Sequence, residues 1–149
     1  MRPVKPVVLH VDDDEDDRIL FRQALQLLHS NLVVRSLPDA EDARDFLLGA
    51  GAYANRDAAE FPDIMLLDIR MPGMTGLDLL RWMRSSDGIL RRLPVVILTS
   101  SDLEADLVSA YELGANSYVV KPSEFKNWQN LAVMLENYWF FWNRHPRKS

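Results

Sequence analysis

The chain has 149 residues, of which 48% are hydrophobic and 26% are charged. This balance is typical of one globular domain, and a chain of this length forms a core without cross-links. The sequence contains no cysteine, which excludes disulfide scaffolds, thiolate zinc sites and cysteine nucleophiles. The formal net charge of −5 argues against a nucleic-acid-binding surface, which normally carries a basic patch.

No apolar run approaches the roughly 20 residues that a membrane-spanning helix needs. The first residues, Met-Arg-Pro-Val-Lys, lead directly into a strand-like segment and do not resemble a signal peptide. We therefore expect a cytoplasmic protein without a membrane span.

Five short apolar runs alternate with longer amphipathic segments. The runs lack the polar alternation of half-exposed strands, which predicts parallel strands covered on both faces. They lie at 7–11, 32–34, 64–67, 95–98 and 117–120. The amphipathic segments predict helices near 16–29, 40–49, 76–85, 102–113 and 124–142. Because crossovers between parallel strands are right-handed, this order predicts an α/β fold with a doubly wound parallel sheet.

Several predicted helix ends carry residues with capping chemistry. The Ser101–Glu104 segment has the spacing of a capping box. Asp39 and Ser123 stand where N-cap acceptors are expected, and Gly114 stands where a helix would stop. Residues 49–61 are rich in Gly, Ala and Asn, which predicts a long surface loop.

Four of the five predicted strands end in polar groups. In a doubly wound sheet, ligands bind beyond the carboxyl ends of the strands. The groups at these ends are Asp12–Asp14, Asp68, Thr99 with Ser100, and Lys121. Two carboxylates ~4 Å apart repel by about 4 kcal/mol at an effective dielectric of 20, so such a cluster requires cations. Mg²⁺ and the lysine ammonium can each supply the positive charge.

Carboxylates, a cation, a lysine and a hydroxyl are the groups that phosphoryl transfer needs, and an aspartate can itself accept the phosphoryl group. The plainer interpretation is that the acidic run is a solvated helix start, which the helix dipole favours. That interpretation is adequate for residues 14–17. It does not explain why Asp12 and Asp13 coincide with polar groups at the other strand ends.

Four segments together resemble the receiver domain of two-component response regulators, the CheY-like domain. They are 7–14 (VVLHVDDD), 64–76 (IMLLDIRMPGMTG), 94–100 (PVVILTS) and 114–122 (GANSYVVKP). The four motifs occur in the family's order and spacing, and the resemblance covers nearly the whole chain. It implies a flavodoxin-like (βα)5 fold with strand order 2-1-3-4-5.

The resemblance also implies a phosphoacceptor and its metal site. Asp68 would accept a phosphoryl group from a sensor histidine kinase. Carboxylates of Asp13 and Asp68 would bind Mg²⁺, with Asp12 acting mostly through a bound water. The backbone carbonyl of Arg70 would complete the protein ligands.

The remaining roles that the resemblance implies belong to the switch. Thr99 would bond a phosphoryl oxygen, and Lys121 would pair with the phosphoryl group or, at rest, with Asp68. Tyr118 would be a switch aromatic that turns inward as Thr99 moves towards the phosphate. The family usually has a cis bond between Lys121 and Pro122, which would direct the lysine into the site.

Two residues at the expected mouth of the site are variable in the family. Arg70 and Ser101 stand two residues beyond the acceptor and the threonine, where the family implies that side chains tune the phosphoryl lifetime. Arg70 could attract a phosphodonor, obstruct water or be a solvated surface arginine. These three interpretations stay open on the sequence. His10 lies within a strand and has no partner at ligand spacing, so we expect a structural role.

The last predicted helix is rich in aromatic residues. Its apolar positions share one face, which suits packing on the sheet: Trp128, Leu131, Leu135, Tyr138 and Trp142. Phe140 and Phe141 fall off that face, so this helix end is apolar nearly all round and needs a second partner. We expect a homodimer through the fourth and fifth predicted helices and the fifth strand. A membrane-surface anchor through Arg144, His145, Arg147 and Lys148 is the alternative.

We expect one receiver domain over residues 1–149 with no output domain, so that signalling would use noncovalent contacts. The loop before Phe61, the segment 110–118 and the aromatic end resemble the stand-alone regulators paired with bacterial phytochromes. The resemblance implies a signalling protein whose only reactions are self-phosphorylation and autodephosphorylation, with no direct DNA binding.

Two other classes of protein are less compatible with these residues. A phosphatase of the aspartyl-phosphate type would carry a second Asp two residues after the nucleophile, where this chain has Arg70. A cofactor-binding flavodoxin-like module would carry a Gly-rich phosphate loop after the first strand, where this chain has three aspartates. A receiver that is never phosphorylated is disfavoured because every key residue is present.

Overall fold

A computed structural model describes residues 5–146 of the chain. It contains a five-stranded parallel sheet in the order β2-β1-β3-β4-β5. The strands are β1 Val7–Val11, β2 Val33–Leu37, β3 Ile64–Leu67, β4 Val95–Thr99 and β5 Ser117–Val120. The predicted fold class and strand order are confirmed.

The five predicted helices are present in the predicted order and are generally shorter, and a short sixth helix, α4 Ile89–Arg92, was not predicted. They are α1 Glu15–Leu27, α2 Ala40–Leu48, α3 Gly76–Ser85, α4 Ile89–Arg92, α5 Glu104–Glu112 and α6 Phe125–Leu135. A π-helix, Glu136–Trp142, continues directly from α6. The segment predicted as a long loop contains two single 3₁₀ turns, Gly51–Tyr53 and Ala58–Glu60.

Neighbouring residues of the central strands enter two different cores, because side chains alternate across a strand. Leu9 and Met65 join the core beneath α2 and α3. Val8 and Ile64 join the core beneath α1 and α6. The sheet is therefore covered on both faces, and its carboxyl edge is left as the place where polar side chains can collect.

Two of the predicted helix-end signals are right and two are wrong. Asp39 accepts an amide hydrogen bond at 2.7 Å as the N-cap of α2, and Gly114, with φ +101°, follows the end of α5. Ser101 does not form a capping box, because α5 starts three residues later. Its hydroxyl donates to Asp106 and accepts from the Leu103 amide at 3.3 Å. Ser123 is not an N-cap either, since α6 starts two residues beyond it without a side-chain cap.

The prediction of one apolar face at the C-terminus is right for α6 and wrong for the π-helix. Trp128 and Leu135 are buried, whereas Tyr138 and Trp142 are 52% and 72% exposed. The π-helix has i to i+5 hydrogen bonds, as in the 2.6 Å bond from the Asn143 amide to the Tyr138 carbonyl. This wider winding rotates the later side chains away from the sheet.

The tail folds back on the π-helix. The His145 ring stacks on Phe140 with 5.5 Å between ring centroids. Of the other basic tail residues, Arg147 and Lys148 lie outside the described residues, as do residues 1–4. Over residues 5–146, none of the helices combines the length and apolarity needed to cross a membrane.

Candidate functional site

The strand register brings the predicted polar residues to one edge of the sheet. Asp12 follows β1 and Asp68 follows β3, and the Asp68 amide donates to the Val11 carbonyl at 3.0 Å. Thr99 ends β4, and the Lys121 amide donates to the Thr99 carbonyl at 2.8 Å. These backbone bonds extend the parallel ladders by one step, so the side chains project from a rigid frame.

Three carboxylates form an acidic cluster at this edge. Asp12, Asp13 and Asp68 each offer an oxygen, and these oxygens lie within 4.8 Å of one another. Asp12 and Asp68 are buried, and Asp13 is exposed. Carboxylate oxygens beside an open face are ligands that a hard divalent cation prefers, so this donor set fits Mg²⁺ or Mn²⁺.

Lys121 places its ammonium at the centre of the acidic residues. Its Nζ lies 2.8 Å from Asp12 Oδ2, 2.8 Å from Asp17 Oδ2 and 3.0 Å from Asp68 Oδ2. Its side chain is only 8% exposed. The peptide bonds of the described residues are all trans, so the cis Lys121–Pro122 bond implied by the resemblance is absent.

Asp17 is a site residue that the sequence analysis missed. Residues 14–17 were expected to be a solvated helix start, but Asp17 contacts the Lys121 ammonium. Asp17 lies in the first turn of α1, which begins three residues after Asp12. That short connection is the signal in the sequence: a carboxylate one turn into α1 faces the same sheet edge as the carboxylates that precede the helix.

Burial and ion pairing set the electrostatics of the cluster. Burial raises the pKa of Asp12 to about 6, although hydrogen bonds from Lys121 and the Asp14 amide oppose the shift. Burial alone would lower the pKa of Lys121, but its hydrogen bonds to Asp12, Asp17 and Asp68 outweigh that effect and raise the pKa well above its usual value. Lys121 is therefore a permanent cation that offsets the negative charge of the cluster.

His10 lies immediately behind the cluster. Its Nε2 is 3.8 Å from Asp12 Oδ2, and both ring nitrogens lack a hydrogen-bond partner within the described part of the chain. Burial, reinforced by the positive charge of Lys121, lowers the pKa of His10 to about 3. The imidazole is thus neutral near pH 7 and packs edge-on against Phe21.

Thr99 and Tyr118 meet at the backbone of Ser101. Thr99 is buried, and its Oγ1 accepts a long hydrogen bond of 3.5 Å from the Ser101 amide. The Tyr118 hydroxyl donates to the Ser101 carbonyl at 2.8 Å. Ser101, two residues beyond the end of β4, thereby contacts both residues predicted to act as the switch.

Arg70 turns its side chain towards α5. Its amide donates to Asp68 Oδ1 at 3.4 Å, and its guanidinium Nη2 lies 2.7 Å from Asp106 Oδ2. Ser101 Oγ donates to the same Asp106 oxygen at 2.5 Å. Asp106 is a second residue that the sequence analysis missed, because only the packing of α5 places it opposite Arg70.

The comparisons with known proteins agree with this geometry. The model of the response regulator receiver domain family matches residues 8–132. Two curated relatives match along most of both chains. The probable methanogenesis regulatory protein FilR2 of Methanothrix harundinacea is 33% identical over 94% of this chain and 87% of its own length. Response regulator Rcp1 of Synechocystis is 31% identical over 89% of this chain and 88% of its own length.

Solved structures give the same result. The Mn²⁺-bound form of Rcp1 superimposes with a TM-score of 0.84 at 30% identity and covers 95% of this chain and 99% of that one. The phosphorylated cyanobacterial phytochrome response regulator RcpA gives a TM-score of 0.86 at 29% identity with the same coverage. The family model spans residues 8–132, and the acidic cluster lies at the carboxyl edge of the sheet. The chain therefore belongs to the response regulator receiver domain family of two-component signalling.

Proposed function

We propose that this chain is a stand-alone response regulator that accepts a phosphoryl group on Asp68 from a sensor histidine kinase. The observation that carries the proposal is the position of Asp68, beside two other carboxylates and 3.0 Å from the Lys121 ammonium. The similarity to phosphorylated RcpA adds support. That protein is described as a phytochrome response regulator, so a bacterial phytochrome is the sensor we propose.

The acidic cluster is proposed to bind Mg²⁺. Asp12, Asp13 and Asp68 would hold the ion, with the Arg70 backbone carbonyl completing the protein ligands. When bound, Mg²⁺ neutralises negative charge on the transferring phosphoryl group. The all-oxygen donor set and the Mn²⁺-bound form of Rcp1 support a divalent cation here.

The transfer step follows from the position of the carboxylate. An Asp68 oxygen forms a bond to phosphorus as the P–N bond of the donor phosphohistidine breaks. The leaving imidazole keeps the electron pair and takes up a proton, and the product is an acyl phosphate on Asp68. Lys121, which pairs with Asp68 at rest, would then pair with a phosphoryl oxygen.

Thr99 and Tyr118 are proposed to pass the change to the surface. The Thr99 hydroxyl would exchange its weak contact with the Ser101 amide for a phosphoryl oxygen. Movement of Ser101 would release the hydroxyl of Tyr118, which bonds the Ser101 carbonyl at rest. Phosphorylation would thus bias an equilibrium between two arrangements of the same residues.

We propose that the chain signals as a homodimer in the cytoplasm, as a single receiver domain. Apolar side chains are exposed along α5, β5, α6 and the π-helix, at Val108, Tyr111, Val120, Met134, Tyr138, Phe141 and Trp142. Two of them, Met134 and Tyr138, also line a groove of about 520 Å³ together with Trp139. Exposed apolar side chains in this number support a protein partner, whereas the net charge of −5 supports the absence of direct DNA binding.

Intact mass after incubation with acetyl phosphate and Mg²⁺ tests the proposal. The wild type should gain one phosphoryl group, and Asp68→Asn should gain none while keeping its circular dichroism spectrum. Asp87→Asn is the matched control, because Asp87 is exposed between α3 and α4, away from the cluster. Phosphorylation of Asp68→Asn at the wild-type rate would overturn the assignment of the acceptor.

A further inference from the structure

A three-residue bridge joins two of the loops at the sheet edge that carries the acidic site. The Asp106 carboxylate uses one oxygen to contact both the Arg70 guanidinium, at 2.7 Å, and the Ser101 hydroxyl, at 2.5 Å. Arg70 belongs to the loop after β3, and Ser101 to the loop after β4. The bridge therefore ties the loop that follows the phosphoacceptor to the loop that follows Thr99.

The guanidinium lies in a neighbouring groove and not among the carboxylates of the site. Arg70 and Asp106 line a groove of about 490 Å³ together with Thr75 and Leu77. Asp12, Asp13 and Asp68 are not among the residues that line this groove. Asp106 thus neutralises the Arg70 charge and directs it towards α3 and α5.

The pair can be broken without loss of the fold. The Arg70 side chain is 63% exposed and that of Asp106 is 19% exposed, and exposed ion pairs contribute little to stability. Arg70 is only two residues from Asp68, and a guanidinium binds phosphoryl oxygens through several parallel N–H donors. A released Arg70 would be a second cation, after Lys121, that could bind an incoming phosphodonor.

We propose that Asp106 is a positioning residue that holds Arg70 away from the phosphoryl position of Asp68, and so limits how well the site accepts dianionic phosphodonors. This inference rests on the proposed function of Asp68 as the phosphoacceptor. It predicts that the change in phosphorylation rate on releasing Arg70 depends on the net charge of the phosphodonor. A dianion such as acetyl phosphate should respond to the release of Arg70 more strongly than phosphoramidate, whose protonated nitrogen gives the donor a smaller net negative charge near pH 7.

The experiment compares phosphorylation rates of the wild type, Asp106→Asn, Arg70→Gln and the double variant, with each of the two donors in Mg²⁺. Asp106→Asn should be phosphorylated roughly three to ten times faster by acetyl phosphate. The released Arg70 would gain a charge-assisted contact with the donor, and solvent exposure would reduce the strength of that contact. The gain should be smaller with phosphoramidate and should shrink as salt is added. It should vanish in the Arg70→Gln background.

Two matched controls separate positioning from a general change in charge. Glu104→Gln removes one negative charge from the first turn of the same helix. Arg81→Gln breaks the Arg81–Asp78 pair, whose arginine is 62% exposed, close to the exposure of Arg70. Both should keep the wild-type rate. Asp106→Ala, which removes the bridge altogether, should repeat the result of Asp106→Asn.

The outcomes distinguish this inference from the proposed function. An unchanged rate for Asp106→Asn in a protein that does take up phosphate would overturn the role of Asp106 alone. So would an increase that persists in the Arg70→Gln background, since Asp106 would then not act through Arg70. A wild type that takes up no phosphoryl group from either donor would overturn both proposals together.

Discussion

Gly76 opens helix α3 directly against the backbone carbonyl of Asp68. A Cβ at position 76 would lie far inside van der Waals contact with the Asp68 carbonyl oxygen and close to Ile69 Cα. The Gly76 amide also donates to the Ile69 carbonyl at 2.9 Å. The helix start and the phosphoacceptor thus share one tightly packed stretch of backbone, which only glycine allows.

Gly76→Ala should therefore damage both stability and the site. The clashing atoms are backbone, which cannot move aside as a flexible side chain can, so we expect a loss of about 1–3 kcal/mol from overpacking. Phosphoryl uptake by Asp68 should fall as well, because the carboxylate moves with its backbone. Urea unfolding and intact mass measure the two effects. Ser85→Ala, at the exposed end of the same helix, is the control, and wild-type behaviour of Gly76→Ala would refute the packing argument.

Lys121→Met should destabilise the metal-free protein most at high pH. Removing the lysine leaves the buried Asp12 carboxylate without its cation, a change that costs roughly 3–5 kcal/mol in buried pairs. Asp12 already has a folded-state pKa of about 6, above its unfolded value of 3.8. The folded state therefore binds the extra proton, and lowering the pH through this range adds stability.

The difference in the free energy of unfolding between the wild type and Lys121→Met should accordingly shrink as the pH is lowered from 8 to 5. Denaturant unfolding in the presence of a chelator measures it at each pH. Lys126→Met provides the control, because Lys126 is exposed on α6. A deficit that stays constant with pH would mean that the Asp12 charge is not the cause.

His10 should make the wild type less stable as the pH falls. Its pKa is about 3 in the folded protein and about 6.5 in an unfolded chain, so below pH 6.5 the unfolded chain binds a proton that the folded chain does not. Stability from this residue is complete above pH 6.5 and is lost below it, by about 2 kcal/mol at pH 5. The raised pKa of Asp12 has the opposite effect, since it adds stability as the pH falls. The contribution of His10 must therefore be measured as a difference between the wild type and a His10 variant.

His10→Leu keeps Asp12 and removes the imidazole, and its stability should fall less than that of the wild type between pH 8 and pH 5. Chemical unfolding at several pH values in metal-free buffer gives the comparison. His29→Asn is the matched control, because His29 is exposed. Parallel curves for the wild type and His10→Leu would contradict the predicted pKa shift.

Phe141→Ala and Trp142→Ala should weaken the proposed dimer without destabilising the monomer. Both side chains are more than 70% exposed, so their removal should change the free energy of unfolding by less than about 0.5 kcal/mol. Aromatic side chains at an interface commonly contribute enough that truncation raises the dissociation constant about tenfold or more. Sedimentation equilibrium measures the dissociation constant, with Leu48→Ala as the control, because Leu48 is exposed at the end of α2 on the opposite face of the sheet. A wild type that stays monomeric would remove the basis of the prediction.

The pattern of the sequence was sufficient to predict the parallel sheet and the strand ends that meet at the site, and the resemblance to receiver domains supplied the strand order. Parallel strands place their carboxyl ends at one edge, so Asp12, Asp68 and Lys121 had to be neighbours once the strands were recognised. Local chemistry also identified the N-cap Asp39, because that bond joins residues three apart in the chain.

Only the tertiary structure decided which side chains pair across segments. Asp17 was expected to be a solvated residue of a helix start, and Asp106 was not singled out at all. Packing of α1 and α5 on the sheet brings them to Lys121 and Arg70. The same packing gave Ser101 a partner in Asp106 and so removed the expected capping box. A local sequence pattern can predict hydrogen bonds within one helical turn. The ion pair between Arg70 and Asp106, which are 36 residues apart, depends on how α5 packs beside the loop after β3.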